Sequence, residues 1–310
     1  MERSEIFGRV GSGPMTNDEA VAQQLEEQVG HPGRMLEVLK DRIQGDGLWL
    51  FEAIESEYLA LMWTMDAYRV AGVPPRGMGK ATSTAQKRLG AVYRSKGNWF
   101  AELLALLLQN RTSQHIAPRQ RVQGFSQTHQ IDIAWPAREL DPFVCAETKV
   151  TGAPAYGTTP ARRAMSDWTN RRKELKFAAT DLKLSRRDVE TQIDHWGVWR
   201  ESAMPRAYFL WAARLHPTTD RIEKMVEEAQ ALVNTYLDGA GIFAWKQAKT
   251  GTGYESVPLP HSAQVTALDD VLHRIAAEIN RQAPQAGTQI PPPVVPKTRA
   301  VEPGSLLPDE

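Results

Sequence analysis

Residues 130–150 contain the feature that most constrains how this chain can fold. Two short apolar segments, residues 130–135 and 143–150, carry the β-branched and aromatic residues that are typical of strands. The residues between them are polar and are bounded by Pro136 and Pro142, and proline does not fit inside a paired strand. The segment therefore predicts an antiparallel β-hairpin.

Three charged side chains interrupt these apolar segments, namely Asp132, Glu147 and Lys149. Pairing Asp132 opposite Glu147 places the midpoint of the hairpin between Glu139 and Leu140, in the middle of the polar turn. Side chains alternate between the two faces of a strand, so Glu147 and Lys149 share one face. We therefore expect two carboxylates and one ammonium group to converge.

Such a group of side chains has a definite chemistry. Carboxylate oxygens are ligands that Mg²⁺ prefers, and the ion keeps positions for water and phosphate. A neighbouring lysine can orient the attacking water and offset charge that develops on the phosphate. The hairpin thus predicts a metal-dependent nuclease site using Mg²⁺, for which Mn²⁺ is expected to substitute. The alternative is a solvated ion pair, as we interpret the same spacing in Glu174 and Lys176 on a helical surface.

The elements predicted around the hairpin follow the order helix, three strands, helix, strand. An apolar helix is predicted at residues 98–109 and a first strand at 119–125. After the hairpin come a basic helical region at residues 160–184, a strand at 206–214, an amphipathic helix at 219–236 and a strand at 241–246. Glu102 is the only charged residue of the first helix. It either caps the first turn of that helix or faces a site.

Asp132, Glu147 and Lys149, in this order of elements, resemble the PD-(D/E)xK nuclease superfamily, which includes most type II restriction endonucleases and several repair and recombination nucleases. The resemblance covers roughly residues 97–246. It implies that Asp132 and Glu147 bind one or two Mg²⁺ ions, that Lys149 is the catalytic lysine, and that Glu102 is a further acid near the metal. Ile131 stands where the motif's name has proline, which many members also lack.

The resemblance implies an α/β fold with a restriction-endonuclease-like core, a mixed central sheet flanked by helices. Residues 1–75 are predicted to form an N-terminal helical region, with helices at about 17–29, 33–44 and 47–70. Residues 76–283 would form the nuclease domain, ending in a helix at 265–282. Residues 284–310 are rich in proline and predict a flexible tail.

The formal net charge is zero, with 37 basic and 37 acidic residues, but the basic residues are clustered. Residues 76–96 contain six basic residues and no acidic one, and residues 149–187 contain ten basic and three acidic ones. Binding to phosphates needs such local patches, because salt screens distant charges beyond about 8 Å. Solvated surfaces are the alternative. The residues predicted to contact DNA are Arg162, Arg163, Arg171, Arg172, Lys173, Lys176, Lys87 and Arg88.

The sequence contains no apolar run long enough to span a membrane, and we expect a soluble, cytoplasmic protein. Its single cysteine, Cys145, excludes an internal disulfide, and a buried strand cysteine is expected.

The leading hypothesis is a type II-like restriction endonuclease that cuts double-stranded DNA as a homodimer. The alternatives are a repair, junction-resolving or phage-defence nuclease acting with a partner, and a catalytically inactive DNA-binding protein of the same fold.

Overall fold

The structure is a computed structural model that describes residues 18–79, 83–136, 142–185 and 204–284. The middle of the predicted hairpin turn and all but the first residue of the predicted proline-rich tail lie outside these ranges.

Within the described residues, seven strands form one mixed sheet in the order β1-β2-β3-β4-β5-β6, with β7 beside β5. The predicted α/β class is therefore confirmed. Strands β1, β2 and β3 are antiparallel, β3, β4 and β5 are parallel, and β6 returns antiparallel to β5. The strands are β1 (Pro118–Gln123), β2 (Thr128–Trp135), β3 (Val144–Thr151), β4 (Arg206–Arg214), β5 (Gly239–Gln247), β6 (Tyr254–Val257) and β7 (Val265–Thr266).

The hairpin of β2 and β3 forms with the predicted register. Ile133 lies opposite Ala146, and Trp135 lies opposite Val144. This register aligns Asp132 with Glu147, as the turn position predicts. The ladder between these strands ends at Ile133, whereas β3 pairs with β4 along its whole length. Asp132 therefore lies where β2 separates from β3.

The helices surround this sheet. They are α1 (Asp18–Val29), α2 (Pro32–Gln44), α3 (Glu55–Ala71, preceded by a 3-10 turn at Glu52–Ile54), α4 (Ala85–Thr112), α5 (Trp168–Ser185), α6 (Ile222–Val233) and α7 (Leu268–Gln282).

Several of the predicted helix boundaries are wrong. The helix predicted at 47–70 begins only at Glu55, after a 3-10 turn. Residues 160–167 do not begin α5, because the backbones of Ala153 and Arg162 exchange two hydrogen bonds and hold this segment in a loop. The predicted helix at 265–282 begins only at Leu268, since Val265 and Thr266 pair with β5 as β7. Helix α4 begins earlier than predicted, because the Thr84 side chain caps its first turn by accepting a hydrogen bond from the Lys87 amide.

Side chains of β4 alternate between two apolar cores. Leu210 and Ala212 pack with α2, α3, α4 and α7 on one face of the sheet. Phe209 and Trp211 pack with α5 and α6 on the other face. The predicted N-terminal helical region therefore covers one face of the sheet. Among the described residues, no helix combines the length and the apolar character needed to cross a lipid bilayer.

Candidate active site

Asp132 is held in place by its neighbour across the hairpin. Its Oδ2 accepts hydrogen bonds from the backbone N–H of Thr148 at 2.9 Å and from Thr148 Oγ1 at 3.0 Å. Thr148 is 3% exposed, so these bonds are largely shielded from water. Two donors on one oxygen fix the carboxylate and leave its second oxygen available. No pattern in the sequence predicted this role of Thr148, which lies between Glu147 and Lys149.

Glu147 and Lys149 share one face of β3, as predicted. Lys149 Nζ lies 3.5 Å from Glu147 Oε2, and the two side chains are 28% and 20% exposed. In the parallel pairing with β4 they lie beside Phe209 and Trp211, on the face that α5 covers. The strand geometry therefore places an acid and a base together at a partly open position of the sheet.

The electrostatic state of Glu147 follows from its surroundings. Burial of the carboxyl raises its pKa to about 7, Lys149 offsets part of this rise, and the negative charges of Asp132 and Glu174 add to it. The influence of Asp132 indicates that the two carboxylates are close enough to repel each other. A carboxyl group that titrates near neutrality beside a second carboxylate is typical of functional sites.

A small cavity adjoins Glu147 beneath α5. Its volume is about 20 Å³, which is enough for about one water molecule. Cys145 also lines it and is 2% exposed, so the prediction of a buried cysteine is confirmed. The other lining residues are Ile131, Leu175, Ala178, Ala179, Leu182, Ala207, Tyr208 and Leu237.

The donor atoms of this site fit a magnesium ion. Asp132 and Glu147 offer carboxylate oxygens, and a cation bound to them would stabilise the charged form of Glu147, which burial and, to a lesser extent, Asp132 disfavour. Mg²⁺ is commonly bound through one or two carboxylates together with waters and substrate phosphates. In the ranges that the structure describes, no three acidic, histidine or cysteine side chains form a metal-binding group. Asp132 and Glu147 stay the ligands that the sequence predicts.

Glu102 is engaged on a different face of the sheet. Its carboxylate forms an ion pair with Lys40 of α2, at 2.9 Å between Nζ and Oε2. Helix α4 packs on the face opposite to α5, and Glu102 lies in the middle of this helix. The alternative that Glu102 caps a first helical turn is therefore wrong. Its assignment to the metal stays a prediction.

The basic residues predicted to bind DNA fall into three places. Arg162 and Arg163 are exposed in the loop between β3 and α5. Lys87 lies exposed on the first turn of α4, and Arg88 next to it is half-buried. The rest of the set lies on α5, namely Arg171, Arg172, Lys173 and Lys176.

Within α5 the basic residues differ in their partners. Arg171 pairs with Glu174 at 2.7 Å, and Arg172 pairs with Glu228 of α6 at 3.2 Å. The Nζ of Lys176 lies 4.7 Å from the centre of the Tyr236 ring. Lys173 is exposed, and among the described residues no acidic side chain lies within ion-pair distance of it. Lys173 is therefore the member of this helix best placed to meet a phosphate.

Comparison of the chain with known protein families, with curated proteins and with solved structures gave no match. The assignment of a function accordingly depends on the residues described above.

The raised pKa of Glu147 leads to a prediction on stability. An unfolded glutamate titrates near 4.5, so between that pH and about 7 the folded protein holds a proton that the unfolded chain has lost. Metal-free protein should therefore become less stable as the pH rises through this window. Glu147→Gln cannot ionise, and we expect it to be more stable than wild type at pH 8 by about 1 to 3 kcal/mol, with little difference at pH 4. Urea unfolding in EDTA at both pH values measures this, and equal stabilities at pH 8 would contradict it.

The hydrogen bonds to Asp132 lead to a prediction on activity. Thr148→Val keeps the backbone donor but removes the hydroxyl, so Asp132 should be held less firmly. Loss of such a supporting bond typically costs about 10- to 100-fold in metal affinity or activity. We expect a higher Mg²⁺ concentration for half-maximal cleavage, and recovery in Thr148→Ser. Thr151→Val is the matched control, because its hydroxyl binds Trp211 instead. Identical Mg²⁺ titrations for Thr148→Val and wild type would exclude this role.

Proposed function

We propose that this protein is a Mg²⁺-dependent DNA endonuclease whose α/β sheet is a restriction-endonuclease-like core, similar to that of the PD-(D/E)xK nucleases. The observation that carries the proposal is the position of Asp132, Glu147 and Lys149. Lys149 Nζ lies 3.5 Å from Glu147 Oε2, and Asp132, which lies opposite Glu147 where β2 separates from β3, is close enough for its charge to raise the pKa of Glu147.

Each side chain has a role in hydrolysis of a phosphodiester bond. Asp132 and Glu147 would hold Mg²⁺, which when bound supplies positive charge to the phosphate. Thr148 keeps Asp132 oriented through its two hydrogen bonds. Lys149 is placed to orient the attacking water through its ammonium group and to offset negative charge that develops on the phosphate.

Within this class, we favour a type II-like restriction endonuclease acting on double-stranded DNA. One site cuts one strand at a time, so cleavage of both strands calls for a homodimer. The basic residues of α5 and of the loop before it would bind the phosphate backbone. Asp132, Glu147 and Lys149 are all present, which favours an active enzyme over an inactive DNA-binding protein of the same fold.

A panel of DNA substrates separates the possible roles. Unmodified linear duplex DNA should give discrete fragments if the protein is a restriction enzyme. Cleavage restricted to four-way junctions or damaged duplexes would instead indicate a repair or junction-resolving nuclease. Binding without cleavage of any of them, in Mg²⁺ or Mn²⁺, would favour the inactive protein or a requirement for a partner. Sedimentation of the bound protein reports the dimer.

The contacts of α5 predict which basic residues matter for binding. We expect Lys173→Ala to weaken binding to duplexes of any sequence and to reduce the slope of log K against log salt by about 1. Arg172→Ala should have a smaller effect, because Arg172 already pairs with Glu228. Fluorescence anisotropy in Ca²⁺ at several salt concentrations measures both. If the slope of log K against log salt concentration is the same for both variants and wild type, the basic face of α5 is only a solvated surface.

A further inference from the structure

We propose that Phe125 and Phe177 form a stacking surface for unpaired bases of a DNA strand that enters the candidate active site. Phe125 is 71% exposed and Phe177 is 48% exposed, and among the described residues they are the only aromatic members of the exposed large hydrophobic side chains. Exposing a phenyl ring to water forfeits the favourable burial that aromatic residues usually provide. This surface, defined by Phe125 and Phe177, rests on the proposed nuclease function and adds to it a contact with any segment of the DNA substrate in which the strands are unpaired.

Both phenylalanines contact one buried, hydrogen-bonded pair of residues, His129 and Asp181. His129 Nε2 lies 2.7 Å from Asp181 Oδ2, and these two side chains are 8% and 4% exposed. The backbone N–H of Phe125 donates to the Asp181 carbonyl oxygen at 3.0 Å. The Phe177 ring lies 5.5 Å from the His129 ring. These contacts hold the tip of the β1–β2 hairpin against α5, with Phe125 on the hairpin and Phe177 on the helix.

The hairpin tip is also held tightly. The N–H of Ser126 donates to Asp181 Oδ1 at 2.8 Å, and the N–H of Gly124 donates to the Gln127 carbonyl oxygen at 2.8 Å. A Cβ atom at Gly124 would lie 2.1 Å from Asp181 Oδ2, so only glycine allows this approach. A rigid support lowers the entropy that is lost when a ligand stacks on an exposed ring.

The charged residues around Phe125 and Phe177 favour a nucleic acid as the ligand of this surface. Lys173 lies one turn before Phe177 on α5 and is exposed, so an ammonium group accompanies the phenyl ring. The carboxylate of Asp181, one turn after Phe177 on α5, is turned inward to His129 and Ser126. Aromatic rings beside free cations form the usual site for single-stranded DNA, in which bases stack and phosphates are neutralised.

The position of this surface relates it to the candidate active site. Ala178 of α5 lines the cavity beside Glu147, and Phe177 projects about 100° around the helix from it. The antiparallel register of β2 and β3 places the Thr128 end of β2, and with it the tip of the β1–β2 hairpin, towards the end of β3 that carries Lys149. Base faces are available for stacking only where the duplex is opened, so the surface fits an unpaired segment and not an intact helix.

Fluorescence anisotropy tests whether Phe125 and Phe177 stack on unpaired bases. The full-length protein is titrated in Ca²⁺ against a labelled oligothymidine and a labelled duplex of equal length. Stacking contributes about 1 to 3 kcal/mol per base, so Phe125→Ala combined with Phe177→Ala should weaken binding to the oligothymidine by about 10-fold or more. Affinity for the duplex should change by less than about 2-fold, since an intact duplex offers no free base face. Val38→Ala combined with Leu48→Ala removes exposed apolar side chains elsewhere and is the matched control. Thermal melting shows that each variant is folded, and Phe125→Trp should retain the affinity for the oligothymidine.

Several outcomes would overturn the proposal. If the double variant binds the oligothymidine as tightly as wild type does, and wild type still cuts duplex DNA, the stacking surface is excluded and the proposed function is unaffected. If the double variant loses equal affinity for the oligothymidine and for the duplex, the two rings make a general contact with DNA and do not stack on bases. A changed oligomeric state with unchanged DNA binding would identify a contact between protein chains. Failure of wild type to bind or cut any DNA would overturn both proposals.

Discussion

Lys149→Ala is expected to lower the rate of DNA cleavage by about 10²- to 10⁴-fold while the protein remains folded. Lys149 is 28% exposed and, among the described residues, forms an ion pair with Glu147 alone, so the fold does not depend on its ammonium group. The same loss is expected for Asp132→Ala and Glu147→Ala, because each removes a carboxylate of the proposed metal site. A conservative Glu147→Gln should lose activity equally, since an amide does not replace the charge.

Single-turnover cleavage of one labelled duplex measures these rates. Lys246→Ala is the matched control, because Lys246 forms an ion pair with Glu255 at 3.3 Å between two strands of the same sheet. That variant removes a similar strand lysine without touching the candidate site, and it should cut at the wild-type rate. If Lys149→Ala is folded and cuts within about 3-fold of wild type, a difference too small for a lost catalytic group, the assignment of the site is wrong.

Asp66→Ala is expected to destabilise the protein by about 3 to 5 kcal/mol, because it removes the anion from a buried group of polar side chains. Asp66 is fully buried and accepts hydrogen bonds from Lys96 Nζ at 3.0 Å and from Tyr93 Oη at 2.8 Å. Its other oxygen accepts from Tyr254 Oη at 2.5 Å and lies 3.9 Å from Arg214 Nε. This carboxylate therefore joins α3, α4, β4 and β6.

The charge of Lys96 explains the size of this effect. Burial lowers the pKa of Lys96, and Asp66 opposes that shift by stabilising the charged form. Without the carboxylate, the ammonium group is left buried with no counter-ion beside it, or it gives up its proton at a cost in free energy. Urea unfolding measures the difference. Glu255→Ala, which breaks an exposed pair, should cost no more than about 1 kcal/mol. If Asp66→Ala lowers the free energy of unfolding by no more than Glu255→Ala does, this account of the buried polar group is wrong.

The strands near the candidate site could be predicted because their patterns are local. The range of β4 agrees with the sequence prediction, since nine residues from Arg206 to Arg214 form one strand that is buried along almost its whole length. The register of the hairpin followed from the position of the polar turn, and that register fixes which side chains share a face. Glu147 and Lys149 could therefore be brought together from spacing alone.

The partners of the charged residues could not be predicted in this way. Glu102 pairs with Lys40, which lies on a helix that the fold alone brings next to α4. Thr148 holds Asp132 only because β2 and β3 separate beyond Ile133, and no spacing in the sequence marks that point. The loop before α5 replaced a predicted helix because of backbone bonds between Ala153 and Arg162. These features depend on contacts between distant segments.

Cleavage of supercoiled plasmid DNA is the most direct test of the central claim, that Asp132, Glu147 and Lys149 form a Mg²⁺-dependent nuclease site. Wild type and Lys149→Ala are purified identically and incubated with plasmid in Mg²⁺, in Ca²⁺ and in EDTA. We expect wild type to convert the plasmid to nicked or linear DNA in Mg²⁺ and to leave it intact in EDTA and nearly intact in Ca²⁺. Lys149→Ala should leave the plasmid intact in all three. Cleavage by wild type in EDTA, or equal cleavage by both proteins in Mg²⁺, would contradict the claim.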